Sequence, residues 1–374
     1  MSAEKTIKPV AFNDLKILYR ALKPEILNSI QRVLESGWYI LGPELENFEN
    51  SFAEYLGRKY VIGVANGTDA IELSLRAADI RFGDEVITVS HTAVPTVSAI
   101  ERTGAVPVLV DIDLNSYTMS PVAVEAALTP KTKAIIPVHI YGHMADIEAL
   151  SKIAIKNNLL LIEDCAQAQG ASYKGKKAGT FGHFGTYSFY PTKNLGAYGD
   201  GGAVATNDRQ LAERIYRIRN YGQTQKYVHV ERGVNSRLDE IQAALLSLKL
   251  KYLDQHNAIR RHIASLYNHH LTNVIIPETQ PNYQHIYHLY VIRYSKRDKL
   301  RGELSKIGIG TAIHYPIPIH LQKSHASLGM RVGSLPITEK IVQEIISLPM
   351  FIGLEEDEIQ YVYEQTRNLT EVLK

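Results

Sequence analysis

The sequence predicts an α/β protein built on a mostly parallel sheet, and three observations carry that expectation. Between Tyr60 and Asp208, short runs rich in Val and Ile alternate with helical patterns. The runs are apolar throughout rather than at every second residue, as in strands covered on both faces. The chain has 374 residues, enough for about two domains and a large core.

Taken in order, Lys16 to Ser36 reads as a helix, followed by an irregular arm, WYILGPE. The strands are YVIGVA, DEVITVS, VPVLVDI, KAIIPVHI, LLLIEDC, TYSFY and GAVATN. Helical patterns cover Thr68 to Ala78, Pro95 to Arg102, Pro121 to Ala127 and Asp146 to Asn157, then Asp208 to Arg219 and Ser236 to Gln255. The last carries Leu238, Ile241, Leu245, Leu248 and Tyr252 on one face, suited to either core or interface. From about Ala258 the alternation changes: a strand at His288 to Tyr294, a helix at Arg297 to Lys306, a strand through TAIHY and a helix at Thr338 to Ile346. A large domain over 1–257 and a smaller α+β domain over 258–374 are expected. Ligands of such sheets gather beyond the carboxyl ends of the strands.

A net charge of +2 gives no electrostatic reason to expect nucleic acid or an anionic membrane as partner. The single cysteine, Cys165, excludes an intramolecular disulfide and any multi-thiolate metal site, and no metal is expected. The opening MSAEKTIKPVAFNDLKI lacks the apolar core of a signal peptide. The uncharged stretch Val86 to Ile100 is broken by Ser90, His91 and Pro95, too short and polar for a bilayer. A cytoplasmic protein is the expectation.

Four segments bear on chemistry. GASYKGKKA nearly matches a P-loop, but Lys177 stands where Ser or Thr must reach magnesium, and a lysine-rich β-turn fits better. No G-x-G-x-x-G follows the first strand, which counts against a dinucleotide site. In ANGTDAI, Gly67 permits a tight turn and Thr68 can cap a helix; the segment suits a phosphate seat or ordinary capping equally. In LLLIEDCAQAQGA, Glu163 and Asp164 end a strand and face opposite ways, so one is buried or both serve as solvated caps. In GTYSFYPTKNLGAYGDGGAV, Lys193 lies among aromatic residues and glycines near Ser188, where desolvation lowers an amine's pKa and exposes a nucleophile.

A lysine, an acid and a phosphate cup are what pyridoxal phosphate requires. The chain resembles the DegT/DnrJ/EryC1/StrS family of sugar aminotransferases, which have the type I aminotransferase fold. The resemblance runs from GPELENFENSFAEYLG through NGTDAI, EDCAQAQGA, SFYPTKN and GGAVATND to NSRLDEIQAA. It implies Lys193 as the Schiff-base lysine and proton shuttle, with Asp164 facing the pyridine nitrogen. By the same resemblance Gln167 meets the phenolic oxygen and His91 stacks on the ring. Gly67, Thr68 and Ser188 hold the phosphate, joined by Asn235 from a partner subunit, so a homodimer is implied. Gln169 stands where the family has His, His183 where Asp is frequent, and Tyr187 for a common Phe. Relatives that dehydrate sugars replace the lysine with histidine; Lys193 favours amino transfer.

The implied reaction moves an amino group from L-glutamate to a nucleotide-linked keto sugar. KNLGAYGDGG is similar to a segment of relatives that aminate dTDP-3-keto-6-deoxyhexoses at C3, in deoxyamino sugar biosynthesis. A UDP- or dTDP-4-keto sugar is the alternative, and a catalytically silent pyridoxal-phosphate-binding regulator is an alternative of another class. Tyr190, Tyr221, Lys226, His314 and Tyr315 are candidate contacts to the sugar or diphosphate, or ordinary packing residues.

Overall fold

The computed structural model describes residues 9–373. Its centre is a seven-stranded sheet from β1 (Tyr60–Val64), β2 (Glu85–Val89), β3 (Val106–Val110), β4 (Thr132–Ile135), β5 (Leu160–Asp164), β8 (Phe184–Ser188) and β9 (Gly202–Thr206). The order is β1-β9-β8-β5-β4-β2-β3. Only β9 runs against its neighbours, pairing antiparallel with β1 and β8. The seven strands expected between Tyr60 and Asp208 therefore all form, and the sheet is mostly parallel, as expected. Alternate residues feed two cores: Val61, Ile87, Ile135 and Leu161 on one face, Ile62, Val86, Ala134 and Ile162 on the other.

The helices over the sheet are α1 (Leu15–Ser36), α2 (Pro43–Leu56), α3 (Gly67–Ala77), α4 (Val94–Arg102), α5 (Pro121–Ala127), α6 (Ile147–Lys156) and α7 (Arg209–Ile218). The arm WYILGPE runs directly into α2, which has Pro43 at its first turn and ends at left-handed Gly57. GASYKGKKA is the expected turn, a hairpin of β6 (Ser172–Tyr173) and β7 (Lys176–Lys177). A second hairpin, β10 (Gln223–Gln225) and β11 (Val228–His229), projects after α7.

The helix expected over Ser236 to Gln255 is two: α8 (Glu240–Leu250) and α9 (Leu253–His270). It starts late because Asn235 bridges Asn220 and Asp239 bridges Ile40, holding that stretch extended. It breaks where the Tyr252 N–H turns back to the Lys249 carbonyl. Leu245 and Leu248 pack on Leu22 and Ile26 of α1, so this face belongs to the core. The boundary expected at 257/258 falls inside α9 rather than in a linker.

Beyond α9, β12 (Tyr283–Gln284) joins β6, and β13 (Tyr290–Arg293) pairs with β14 (Ile345–Leu348). With α10 (Arg297–Lys306) and α12 (Glu356–Val372) they enclose a third core around Tyr267, Tyr290 and Leu304. TAIHY is not a strand: only Ala312 bridges Ser347, because Pro316 and Pro318 follow and have no N–H for a ladder. The helix expected to Ile346 is α11 (Pro336–Glu344); β-branched Ile345 and Ile346 belong to β14 instead. Among the described residues no helix is long and apolar enough to cross a membrane.

Candidate active site

The carboxyl ends of β1, β2, β4, β5 and β8 open on one cavity of about 430 Å³. Its wall takes Gly67 and Thr68 from the start of α3, Thr92 and Thr96 after β2, Asp164 and Gln167 at the end of β5, and Ser188, Tyr190 and Lys193 after β8. This volume suits a small-molecule cofactor with its substrate.

One end is built for an anion. Asn66, not Thr68 as expected, caps α3, accepting the Asp69 N–H at 2.8 Å. The Gly67 and Thr68 amides precede the first helical hydrogen bond and point out of the helix end with its positive dipole. Glycine is required here by close approach. A Cβ on Gly67 would lie 2.7 Å from Ser188 Cβ, and one on Gly202 only 2.3 Å from the Asn66 carbonyl oxygen. Amides and the Ser188 hydroxyl therefore converge on a space too tight for a side chain. Arg102, also on the wall, is held by Asp69 at 3.1 Å and Glu72 at 2.8 Å, so their charges are neutralised beside this seat.

At the other end stands Asp164, 4% exposed. Burial pushes its carboxyl up; the Ala166 N–H at 3.1 Å, the Thr96 hydroxyl at 2.9 Å and the Lys193 charge pull it back only in part. Thr96 is itself fixed by the Thr92 hydroxyl at 2.9 Å. Glu163 points the other way, as alternation requires, and is also buried. Its carboxylate accepts the N–H groups of Gly179, Phe181 and Gly182 at 2.7–2.8 Å and of His139 Nε2 at 3.0 Å. Burial would raise this carboxyl, but these four donors outweigh it and hold it below its usual value. His139 Nδ1 accepts the Ala145 N–H, so both ring nitrogens are committed to hydrogen bonds and not to a metal.

Lys193 lies in a tight turn closed by its own N–H to Tyr190 O at 2.8 Å and by Ala197 N to Phe189 O at 2.7 Å. Burial lowers its amine from the usual 10.5 to about 8, against the pull of Asp164. Its cationic form also holds neighbouring His288 and His314 down, after burial; His314 falls to about 4. A half-neutral amine and a carboxylate thus share one cavity with an anion seat.

Gln167 accepts the Tyr141 N–H at 2.6 Å and donates to the Tyr315 hydroxyl at 3.1 Å, leaving one amide hydrogen for a ligand. Tyr315 thus stands beside Gln167, though neither it nor His314 is on the cavity wall, and burial, then the Asp164 charge, push the Tyr315 phenol up to about 12. Tyr190 lines the cavity.

Four more expected residues lie elsewhere. His91 is a correction: Thr92 and Ala93 take the wall, while His91 is buried behind them, donating from Nε2 to the Tyr141 hydroxyl at 2.8 Å. The Tyr141 hydroxyl spends its own hydrogen on the His314 carbonyl. Tyr221 and Lys226 stand exposed at the second hairpin, off this chain's cavity wall. Asn235 is likewise exposed, its side chain without a hydrogen bond among the described residues. Gln169 and His183 leave the cavity alone: Gln169 donates to the Ser188 carbonyl at 2.6 Å, and His183 Nδ1 accepts the Leu161 N–H. Sequence reasoning missed Thr96, Tyr141 and Arg102; of these only Thr96, in the first turn of the helix that follows β2, left any signal.

These features define a site for a phosphate-bearing cofactor attacked by a lysine amine. The sequence profile of the DegT/DnrJ/EryC1/StrS aminotransferase family matches residues 20–367, and the chain belongs to that family. It is 48% identical to the "dTDP-3-amino-3,6-dideoxy-alpha-D-galactopyranose transaminase" of Aneurinibacillus thermoaerophilus, over 95% of this chain and 98% of that one. It is also 48% identical to a "Pleiotropic regulatory protein" of Geobacillus stearothermophilus, over 94% and 96%. The crystal structure of S. venezuelae DesV in complex with a ketimine intermediate superposes with a TM-score of 0.96 at 44% identity, covering 98% of this chain and 99% of that one. The protein is an aminotransferase with the type I fold, and pyridoxal phosphate is its cofactor.

Proposed function

We propose that the chain transfers the amino group of L-glutamate to C3 of a dTDP-3-keto-6-deoxyhexose. The observation that supports it most is the buried amine of Lys193 beside the buried carboxyl of Asp164, with an anion seat at the far end of the same cavity. Pyridoxal phosphate, when bound, condenses with primary amines and stores the electron pair left by a departing α-proton. The residues serve that chemistry in distinct ways. Lys193, depressed enough to be half neutral near pH 8, removes the α-proton of the donor and returns it on the other carbon. Asp164, oriented by Thr96 and Ala166, holds a proton on the ring nitrogen. Gln167 offers its remaining amide hydrogen to the phenolic oxygen. Gly67, Thr68 and Ser188 take the phosphate, for which one helix end contributes only about 0.3–1 kcal/mol and several donors are needed.

Asn235, exposed here, completes the phosphate seat of a second copy, which makes the active form a homodimer. Tyr221 and Lys226 reach the same neighbouring site, while Tyr190, His314 and Tyr315 meet the sugar from this one. The similarity to a protein named as a regulator favours a second reading, pyridoxal phosphate binding without turnover. Intact Lys193 and Asp164 count against it. Incubation with L-glutamate and dTDP-3-keto and 4-keto sugars, with NMR of the products, tests the proposal. A product aminated at C4 overturns the C3 assignment, and a cofactor spectrum unmoved by glutamate overturns turnover.

A further inference from the structure

Behind the turn that carries Lys193 lies a second, smaller cavity of about 80 Å³. Asp14 before α1, the turn itself, and Lys249, His256 and Arg260 of α8 and α9 form its wall. Arg260 is 6% exposed. Its Nη1 donates to the carbonyls of Tyr287, His288 and Met350 at 3.1–3.2 Å, while Nε and Nη2 have no acceptor among the described residues. Lys249 donates to the Gly196 carbonyl at 2.6 Å and lies 3.7 Å over the Tyr198 ring.

No carboxylate balances this charge. Asp14, the one acid on the wall, accepts the Lys16 N–H at 2.8 Å and forms no ion pair among the described residues. Burial alone brings Lys249 down to about 8 and Arg260 down to about 10; a nearby acid would have pushed both up. His256 is lowered by burial and then by the charges of Arg260 and Lys249, so the three groups sense one another.

Buried cations are costly without a counter-charge, and the one guanidinium edge left free, Nε and Nη2, matches a carboxylate or a halide. At about 30 Å³ per water molecule, the space holds one such group and a water, but no phosphate ester or sugar. We propose that this cavity binds a small monovalent anion, a halide or a carboxylate of about the size of acetate, between Arg260 and Lys249. Lys193 shares the wall, so the bound anion lies against the turn that carries the catalytic amine.

The full chain as purified is heated in sodium chloride, sodium acetate or sodium gluconate at constant ionic strength. Gluconate is too large for the cavity. Chloride and acetate are expected to raise the unfolding temperature over gluconate, by roughly 3–4 °C at a hundredfold excess over the dissociation constant. Lys249→Met and Arg260→Gln are expected to remove that difference. Should Arg260→Gln not fold, Lys249→Met and the wild-type comparison still decide. Equal unfolding temperatures in all three salts overturn the proposal, as does an undiminished difference in Lys249→Met.

Discussion

The titration of Lys193 follows from burial and is the sharpest consequence of the site. An ordinary lysine with a pKa of about 10.4 is neutral in only about 0.4% of molecules at pH 8. Desolvation brings Lys193 to about 8, so half of it is neutral there, a gain on the order of 100-fold in nucleophile. In cofactor-stripped protein, competitive acetylation read peptide by peptide against pH should show the Lys193 peptide half-reactive near 8. Asp164 opposes the shift, so Asp164→Asn should move the half-point lower still. The linkage has a definite sign. Between about 8 and 10.5 the native amine has lost the proton that the unfolded chain retains, so stability rises with pH across that window. A Lys193→Met variant loses the Lys193 share of this rise and keeps that of Lys249, also brought down to about 8 by burial. A Lys193 peptide that titrates near 10.5 would refute the closed, desolvating pocket and the reasoning built on it.

Three further predictions concern the groups around it. Thr96→Val removes the hydroxyl 2.9 Å from Asp164. A hydrogen bond to a charged group is worth roughly 1.5–3 kcal/mol, so the acid limb of the kcat–pH profile should move up by about 1–2 units, and an unmoved limb contradicts the role of Asp164. Gly67→Ala drives a Cβ to 2.7 Å from Ser188 Cβ and should weaken pyridoxal phosphate at least about 10-fold by equilibrium dialysis, on the order of 1.4 kcal/mol. Pyridoxal without the phosphate should bind as before; equal losses for both would place the phosphate elsewhere. Glu163→Gln turns an amide NH₂ toward backbone N–H groups and should cost about 3 kcal/mol in urea unfolding, whereas a loss below about 1 would mean the carboxylate is not held as described.

Much of this was legible in the sequence, and the reasons for the rest are local. Strands buried on both faces announce themselves as apolar runs, which is why all seven sheet strands were found. Residues just beyond strand ends inherit their place from topology, and the family resemblance gathered Gly67, Asp164, Gln167, Ser188 and Lys193 into one site, where the structure has them. The second helix carried its own signals, Pro43 after Gly42 and Gly57 at the end, and was legible though unread. TAIHY has the apolar pattern of a strand, and only the two prolines beyond it betray that it cannot pair. Rotation about a strand end was not legible. Whether His91 or its successors face the cavity depends on Tyr141, fifty residues on, whose hydroxyl draws the imidazole away. The backbone donors to Glu163 come from a turn sixteen to nineteen residues later, a partnership that spacing does not encode.

The account rests on the amine at position 193. Borohydride reduction of the protein loaded with pyridoxal phosphate, followed by peptide mass mapping, should leave the pyridoxyl group on Lys193 within SFYPTKN and nowhere else. A pyridoxyl group on another lysine, or on none, would contradict it.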